Sequence, residues 1–296
     1  MELRVLKYFL MVAREENITK AAAVLHVTQP TLSRQLMQLE EELGVKLFHR
    51  SNHNIVLTEE GMLLKQRAQD IVALADRTKR DFLNKTDGLT GEISIGSGEF
   101  QSTALLAEII AAFHQKYPSV QYSLYSGNAE NIADYIERGF LDMGLMSEPV
   151  DIRKYNFISL PCKEVWGVWA AKDSDFAKLP CVRPKDLENQ SLIMANSTFA
   201  RSLLGTWLGD AQMRVQIVAT GNLLYNMAVL ANSGLGAVLG IRLNCTYNDL
   251  CFRPLEPSLE TGTVLAWRKE QLFSPAGDAF IDFAKTYIKR ISEDAI

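Results

Sequence analysis

Residues 18 to 36 read Ile18-Thr19-Lys20-Ala21-Ala22-Ala23-Val24-Leu25-His26-Val27-Thr28-Gln29-Pro30-Thr31-Leu32-Ser33-Arg34-Gln35-Leu36. The three alanines predict a short helix, Lys20 to Leu25, whose small side chains let a second helix pack close. His26-Val27-Thr28 then makes a three-residue turn. Thr28 can cap the next helix, and Pro30 falls in its first turn, where the missing N–H costs little. That helix, Gln29 to Glu42, spaces Leu32, Leu36 and Leu39 for burial on one face. Gln29, Thr31, Ser33, Arg34, Gln35 and Gln38 are left on the other face, where they can bond to base edges and phosphates. Two short helices around such a turn, the second polar on its outer side, form a helix-turn-helix. Plain bundle packing would use the same spacing, so geometry alone leaves both readings open.

Outward from this core, Leu3, Leu6, Phe9, Leu10 and Ala13 give a first helix with one buried stripe, and Asn17-Ile18-Thr19 ends it. Pro30 is the one proline before Pro118, and no glycine precedes Gly44, so the first ninety residues should be mostly helical. From Gly88 onward glycines are frequent and β-branched runs appear, such as Glu92-Ile93-Ser94-Ile95. The polar stretch from Lys85 to Gly91 marks the boundary, near residue 90. Before it, Thr58 can cap a long helix reaching about Thr86, in which Leu64, Ala68, Ile71, Ala75, Thr78 and Phe82 recur at four- and three-residue steps. Such a heptad stripe suits a dimer seam, or a helix laid on its own C-terminal domain.

Continued through Leu39-Glu40-Glu41-Glu42-Leu43-Gly44-Val45-Lys46-Leu47-Phe48-His49-Arg50 to Leu57-Thr58-Glu59-Glu60-Gly61, the opening stretch resembles the LysR-type transcriptional regulators. The resemblance implies a winged helix-turn-helix, with Gly44 turning the chain into a two-stranded wing from Phe48 to Leu57. It implies double-stranded operator DNA as partner, with Gln29, Pro30, Thr31, Ser33 and Arg34 at the major groove and Arg50 near the wing. The chemistry of the side chains agrees: Arg34 can pair bidentately with guanine, Gln29 with adenine, and Pro30 can meet a thymine methyl. Gln35 lies on the same face. The wing departs from many relatives, with Ser51-Asn52-His53-Asn54 where basic residues are common, so fewer counterions should be released on binding. His26, His49 and His53 read as neutral hydrogen-bonding groups with no pH role; the alternative is that His53, once protonated below about pH 6.5, strengthens a phosphate contact there.

The whole chain has 296 residues, 47% of them apolar, enough for two or three globular units. Its formal charge of −4 removes the easiest argument for a nucleic-acid partner, a strongly basic chain, but the total hides its distribution. Residues 1–90 hold 13 basic and 12 acidic side chains, and residues 91–296 hold 18 and 23, so the acidity belongs to the second half. No apolar run reaches the roughly 18 residues of a membrane helix, and Arg14, Glu15 and Glu16 break any signal-like core, so a cytoplasmic protein with no membrane partner is expected. Cys162, Cys181, Cys245 and Cys251 lack C-x-x-C spacing and read as small apolar residues; no metal or cofactor is expected.

The second half alternates strand-like and helix-like segments, as in an α/β unit with a parallel-rich sheet. Ile93–Gly96, a helix from Thr103 to Tyr117 and Val120–Leu124 form one βαβ crossover, followed by a helix at Ile132–Arg138 and a strand at Met143–Met146. Tyr117-Pro118, Gly139-Phe140-Leu141-Asp142, Ser233-Gly234-Leu235-Gly236 and Trp267-Arg268-Lys269 extend the LysR resemblance. It implies a periplasmic-binding-protein-like effector domain of two subdomains with a cleft between. The expected organisation is therefore a winged helix-turn-helix domain over 1–58, a linker and dimerisation helix over 59–90, and an effector domain over 91–296. Subdomain I should comprise 91–161 and 266–296, and subdomain II 162–265. Dimerisation should use Leu64, Ala68, Ile71, Ala75 and Phe82, in a homodimer that can pair into a homotetramer.

In open α/β sheets ligands lie beyond the carboxyl ends of the strands. Ser97, Gly98, Glu99, Phe100, Gln101, Ser102, Ser147, Asn196, Ser197, Thr198 and Asn222 are thus the candidate residues for a small-molecule effector. Gly98 and Phe100 stand where several relatives place a hydroxyl, which makes a simple carboxylate ligand less secure and leaves aromatic or cationic groups open. Enzymatic patterns are absent: after Gly96-Ser97-Gly98, Gln101 replaces the third glycine of a dinucleotide fingerprint, and no G-x-S-x-G or P-loop follows. A regulator and not an enzyme is expected. Two rivals stay open: a regulator with an inert cleft, and a small-molecule-binding α/β protein whose N-terminal helices serve only assembly.

Overall fold

A computed structural model of the chain describes residues 1–50, 55–83, 88–151, 153–247 and 249–294, and divides into two compact units, Met1–Asn84 and Lys85–Ile296. The first unit opens with α1 (Leu3–Glu15), which buries Val5, Leu6, Phe9, Val12 and Ala13. Next, α2 (Ile18–Val24) is capped by the Asn17 side chain, which accepts from the Lys20 N–H at 3.0 Å, and it buries Ala21 and Ala22 as the sequence required. The turn after it passes through His26 in the left-handed region, φ 54°. Thr28 then caps α3 (Gln29–Leu43), accepting from the Thr31 N–H, and Leu32, Leu36 and Leu39 complete the core. Gly44 ends α3 at φ 70°, a backbone state that costs glycine nothing. Strands β1 (Phe48–Arg50) and β2 (Ile55–Leu57) pair antiparallel, Phe48 opposite Leu57, and make the wing.

The wing is tied down by a group whose role the sequence did not announce. Glu40, on the inner side of α3, is buried and accepts from the Leu47 and Phe48 N–H groups at 2.9 and 3.4 Å. Thr58 clips the other end: its hydroxyl donates to the Lys46 carbonyl at 2.7 Å and accepts from the Gly61 N–H at 2.9 Å, capping α4 (Glu59–Leu83). The expected dimer stripe on α4 needs correction here. Ala68 is fully buried in this unit's own core, and Leu64 packs against the same core, beside α1. Ala68 is therefore closed to a second chain, while Leu64 stays half-buried. Among the described residues, the large apolar side chains that α4 leaves exposed are Met62, Leu63, Ile71 and Leu74.

In the second unit, β3 (Gly91–Ser97), α5 (Thr103–Lys116), β4 (Val120–Ser126), α6 (Ala129–Glu137) and β5 (Met143–Ser147) follow the expected order. β3 runs parallel to both β4 and β5. The long β6 (Tyr155–Ala171) leads to β7 (Ser191–Ala195), α7 (Thr198–Leu208), β8 (Gln216–Gly221), α8 (Leu224–Asn232) and β9 (Ala237–Ile241). β10 (Leu250–Pro254), β11 (Glu260–Arg268) and α9 (Pro275–Asp294) complete the chain. Strands lie in the order β4-β3-β5-β11-β6-β9-β7-β8, with β10 also on β6. Ile93, Ile95, Leu106, Ile109, Phe113, Met143, Leu265 and Phe280 fill one core; Val168, Val182, Leu187, Leu192, Leu204 and Leu239 fill a second.

The two halves are joined differently from the expected division at 161/162 and 265/266. β6 pairs with β11 through Val165 and with β9 from Trp166, so the first crossing falls between those residues. β11 already pairs with β6 at Glu260, and its Thr263 to Ala266 segment pairs with β5, so residues 260–265 belong with subdomain I. The first crossing is carried within one continuous strand, where Pro161 and Gly167 stand on either side of it without breaking it, and the second falls between β10 and β11.

Candidate functional site

On α3 the side chains Gln29, Pro30, Thr31, Arg34 and Gln38 are exposed, and Ser33 and Gln35 are half-buried at its margins. The helix is held from behind by Leu32, Leu36 and Leu39, and its start is fixed by Thr28, whose hydroxyl also meets that of Thr31 at 2.8 Å. A rigid helix therefore offers a polar face that can exchange water for groove edges at little cost. Arg50 lies in β1, whose partner strand places it opposite Ile55, and His53 lies outside the described residues.

In the second unit the carboxyl ends of β3, β5, β7 and β9 and the starts of α6 and α8 surround a cavity of about 110 Å³. Six of the expected residues line it: Gly98, Glu99, Phe100, Ser147, Ser197 and Asn222. The rest of the wall is largely apolar and includes Trp166, Phe199, Met227 and Leu239. A wider depression of about 550 Å³ sits at the opposite, amino end of β7, around Ser191 and Gly234, away from the converging helix N-termini. The smaller cavity has the geometry of a ligand site in this kind of sheet.

The other five expected residues do not line the cavity, for identifiable reasons. Ser97 turns its hydroxyl onto the Gly98 carbonyl at 2.7 Å. Ser102 is fully buried; its N–H donates to Glu164 at 3.0 Å and its hydroxyl bonds that of Thr263 at 2.9 Å. Gln101 donates its N–H to Glu164 at 2.8 Å and its amide to Asn244 at 3.2 Å. Asn196 accepts from the Asn128 amide across the cleft at 3.4 Å, and Thr198 donates its N–H to Glu130 at 2.8 Å. These groups bind the protein to itself.

A pattern emerges from those partners. Glu164 closes the start of α5, Glu130 the start of α7, and Glu99, which bonds the Leu224 N–H, the start of α8. Each is a carboxylate set on the positive end of a helix. The charge of Glu99 also helps hold the Tyr247 phenol above its ordinary pKa, after burial and the interaction with Cys245. Phe100 folds its ring over Gly98, where a Cβ would stand 2.4 Å from it, so a side chain at 98 would displace the ring. Sequence reading missed Glu164 and Glu130. The signal for the first was present: a lone acid beside the apolar run Val165-Trp166-Gly167-Val168-Trp169-Ala170-Ala171.

Comparison with known proteins places both units. A family model described as bacterial regulatory helix-turn-helix protein, lysR family, matches residues 3–62, and one described as LysR substrate binding domain matches residues 86–289. The chain belongs to the LysR family. This LysR-family chain is 30% identical over 291 residues to the Hca operon transcriptional activator HcaR of Escherichia coli K12, covering 95% of this chain and 96% of that protein. It is 24% identical to the HTH-type transcriptional regulator YcgK of Bacillus subtilis strain 168, over 99% and 97% of the two chains. The crystal structure of full-length CbnR complexed with its target DNA has the same fold, with a TM-score of 0.74 at 22% identity, covering 98% of this chain and 99% of that one. The LysR chain is thus a DNA-binding transcriptional regulator with a substrate-binding domain. Among its described residues no helix is long and apolar enough to cross a membrane.

Proposed function

We propose that the protein reads double-stranded operator DNA with Gln29, Pro30, Thr31, Ser33, Arg34 and Gln35, aided by Arg50 and His53 of the wing. The observation that carries this reading is the exposed polar face of α3, held rigid by its buried leucines and its Thr28 cap. HcaR, a transcriptional activator, and CbnR, solved on its target DNA, support it. A homodimer, able to pair into a homotetramer, would present two such helices to a pseudo-palindromic site. Its seam would use Leu63, Ile71 and Leu74 on the exposed side of α4, with the half-buried Ala75; the side chain of Phe82, expected in the same seam, lies outside the described residues.

A small-molecule effector would enter the cleft beside Glu99, Phe100, Ser147, Ser197 and Asn222. It would act through its differential affinity for two arrangements of the assembly, one of which fits the operator. The work is recognition without turnover, carried out in the cytoplasm where the DNA is. DNase footprinting on DNA upstream of the gene, paired with melting shifts across a metabolite panel, tests both halves. A protected palindrome-like site and a metabolite that both raises Tm and alters the footprint are expected; a ligand that raises Tm and leaves the footprint unchanged would make the cleft inert in regulation.

A further inference from the structure

Of the helix starts near the cleft, those of α5, α7 and α8 are each closed by one of the chain's own carboxylates, Glu164, Glu130 and Glu99, while the start of α6 is capped by the neutral Asn128 side chain. A helix start is otherwise a ready receptor for an anion, because its free N–H groups and its dipole point at the ligand. Of the three acids, Glu99 is the one that lines the cavity. It reaches from the loop after β3 to the Leu224 N–H on the far side, bridging the two subdomains. Among the described residues, no lysine, arginine or histidine lines this cavity. A ligand carboxylate would therefore meet a negative charge already seated on α8 and find no cation to replace the water it gives up.

Resting on the reading of the cleft as the ligand site, we propose that Glu99 is its specificity-determining residue: an internal stand-in for an acidic ligand, leaving room for a small uncharged molecule with an apolar body. The walls fit that class. Phe100, Trp166, Phe199, Met227 and Leu239 supply apolar surface, and Ser147, Ser197, Asn128 and Asn222 supply neutral hydrogen-bonding groups. An amine is the less favoured guest, because the Glu99 charge is already compensated by the helix start it caps and would have to leave it to bind a cation. The cavity, about 110 Å³, holds a single small ring only with some opening of the cleft.

Truncation of Glu99 tests the proposal on the full-length protein. Glu99→Ala removes an acetate-sized fragment and should lower Tm by about 2–4 °C. Sodium acetate should restore that loss saturably, whereas sodium chloride at equal ionic strength and acetamide should not, and wild type should respond to none of them differently. Acetamide restoring Tm as well as acetate, or wild type gaining as much from acetate as the variant, would overturn the proposal. The isosteric pair benzamide and benzoate, with benzylamine, probes the ligand class without truncation. Wild type should bind benzamide most tightly, and Glu99→Gln, which keeps the side-chain volume, should reduce the discrimination against benzoate by about tenfold, the scale of one charge-assisted interaction. Benzoate or benzylamine preferred over benzamide by wild type would refute it. Operator affinity measured in the same samples separates the two ideas: acetate that restores Tm yet leaves operator binding unmoved supports the role of Glu99 and counts against the cleft as a regulatory site, while missing rescue counts against Glu99 alone.

Discussion

The two units handle polar groups in opposite ways. On α3 the Gln29, Arg34 and Gln38 side chains are left facing water, while the helix start beneath them is already capped. Around the cleft almost every polar group the sequence nominated is already bonded to another part of the protein. The difference follows from dielectric. An exposed Gln or Arg exchanges water for a base edge or phosphate with little loss, whereas a fully buried group such as Ser102 or Glu164 must find a partner within the fold or destabilise it. A DNA-reading face can thus stay unpaired between encounters, but a sensing cleft has to be complete even when empty. Distribution of charge tells the same story. The formal −4 of the chain divides into a nearly balanced first ninety residues and an acidic remainder, and three of those acids serve as helix caps around the cleft.

If the α3 face is the open one, the largest effect should come from removing its single arginine. Arg34→Ala in a dimer deletes one contact at each half-site, and at about 1–3 kcal/mol per bidentate contact the loss of operator affinity should reach about 100-fold. Fluorescence anisotropy on the footprinted site measures it, with an unchanged Tm as the control for folding. Retained affinity would remove α3 from the interface and collapse the contrast between the units.

A smaller effect should follow from the two buried carboxylates, one in each unit. Glu40 and Glu164 each accept two backbone N–H bonds in a buried site. Replacing either by leucine orphans those donors and should cost about 2 kcal/mol of stability, within the usual range for bonds to a charged group. Denaturant unfolding reads the size of the loss, and function assigns it. Glu40→Leu should weaken operator binding through the wing it anchors, and Glu164→Leu should instead alter ligand-induced melting shifts. The reverse pattern would show that the two units do not keep their polar economies separate.

The same physics explains which parts of the fold the sequence disclosed. Helix-turn-helix boundaries were legible because Asn17, Thr28, Pro30 and Gly44 act within a turn of where they stand. The strand-end location of the cleft was legible too, since it follows from the order of strands and helices. Glu130, Glu164 and the true crossing in β6 were not, because each depends on residues 60 or more positions apart. Ala68 misled for a related reason: a heptad stripe says that one side of α4 is buried, and α1 of the same unit competes for that side.

That competition gives the next test. Ile71 and Leu74 stay about 40% exposed in the protomer, so Ile71→Glu with Leu74→Glu should leave the fold intact and weaken self-association by about tenfold, or about 1.4 kcal/mol, visible by sedimentation velocity. Ala68→Leu, by contrast, overpacks the unit's own core and should lower Tm with no gain in association. An unchanged dimer in the double variant would move the seam elsewhere.

The smallest effect separates an exposed cap from a buried one inside the sensing unit itself. Glu130 is exposed where it accepts from the Thr198 N–H at the start of α7, while Glu164 is fully buried at the start of α5. Both sit on a helix dipole, yet only the first is open to screening by salt, since the Debye length shrinks from about 10 Å at 0.1 M to 3 Å at 1 M. Glu130→Gln should therefore cost about 0.3–1 kcal/mol at low salt and almost nothing at 1 M. The cost of Glu164→Gln should be larger and nearly independent of salt. Thermal melts of the two variants at both salt concentrations decide it. Equal salt dependence in the two would mean that the buried cap is reached by ions and water, and that the cleft is a wetter, more open place than its bonded polar groups imply.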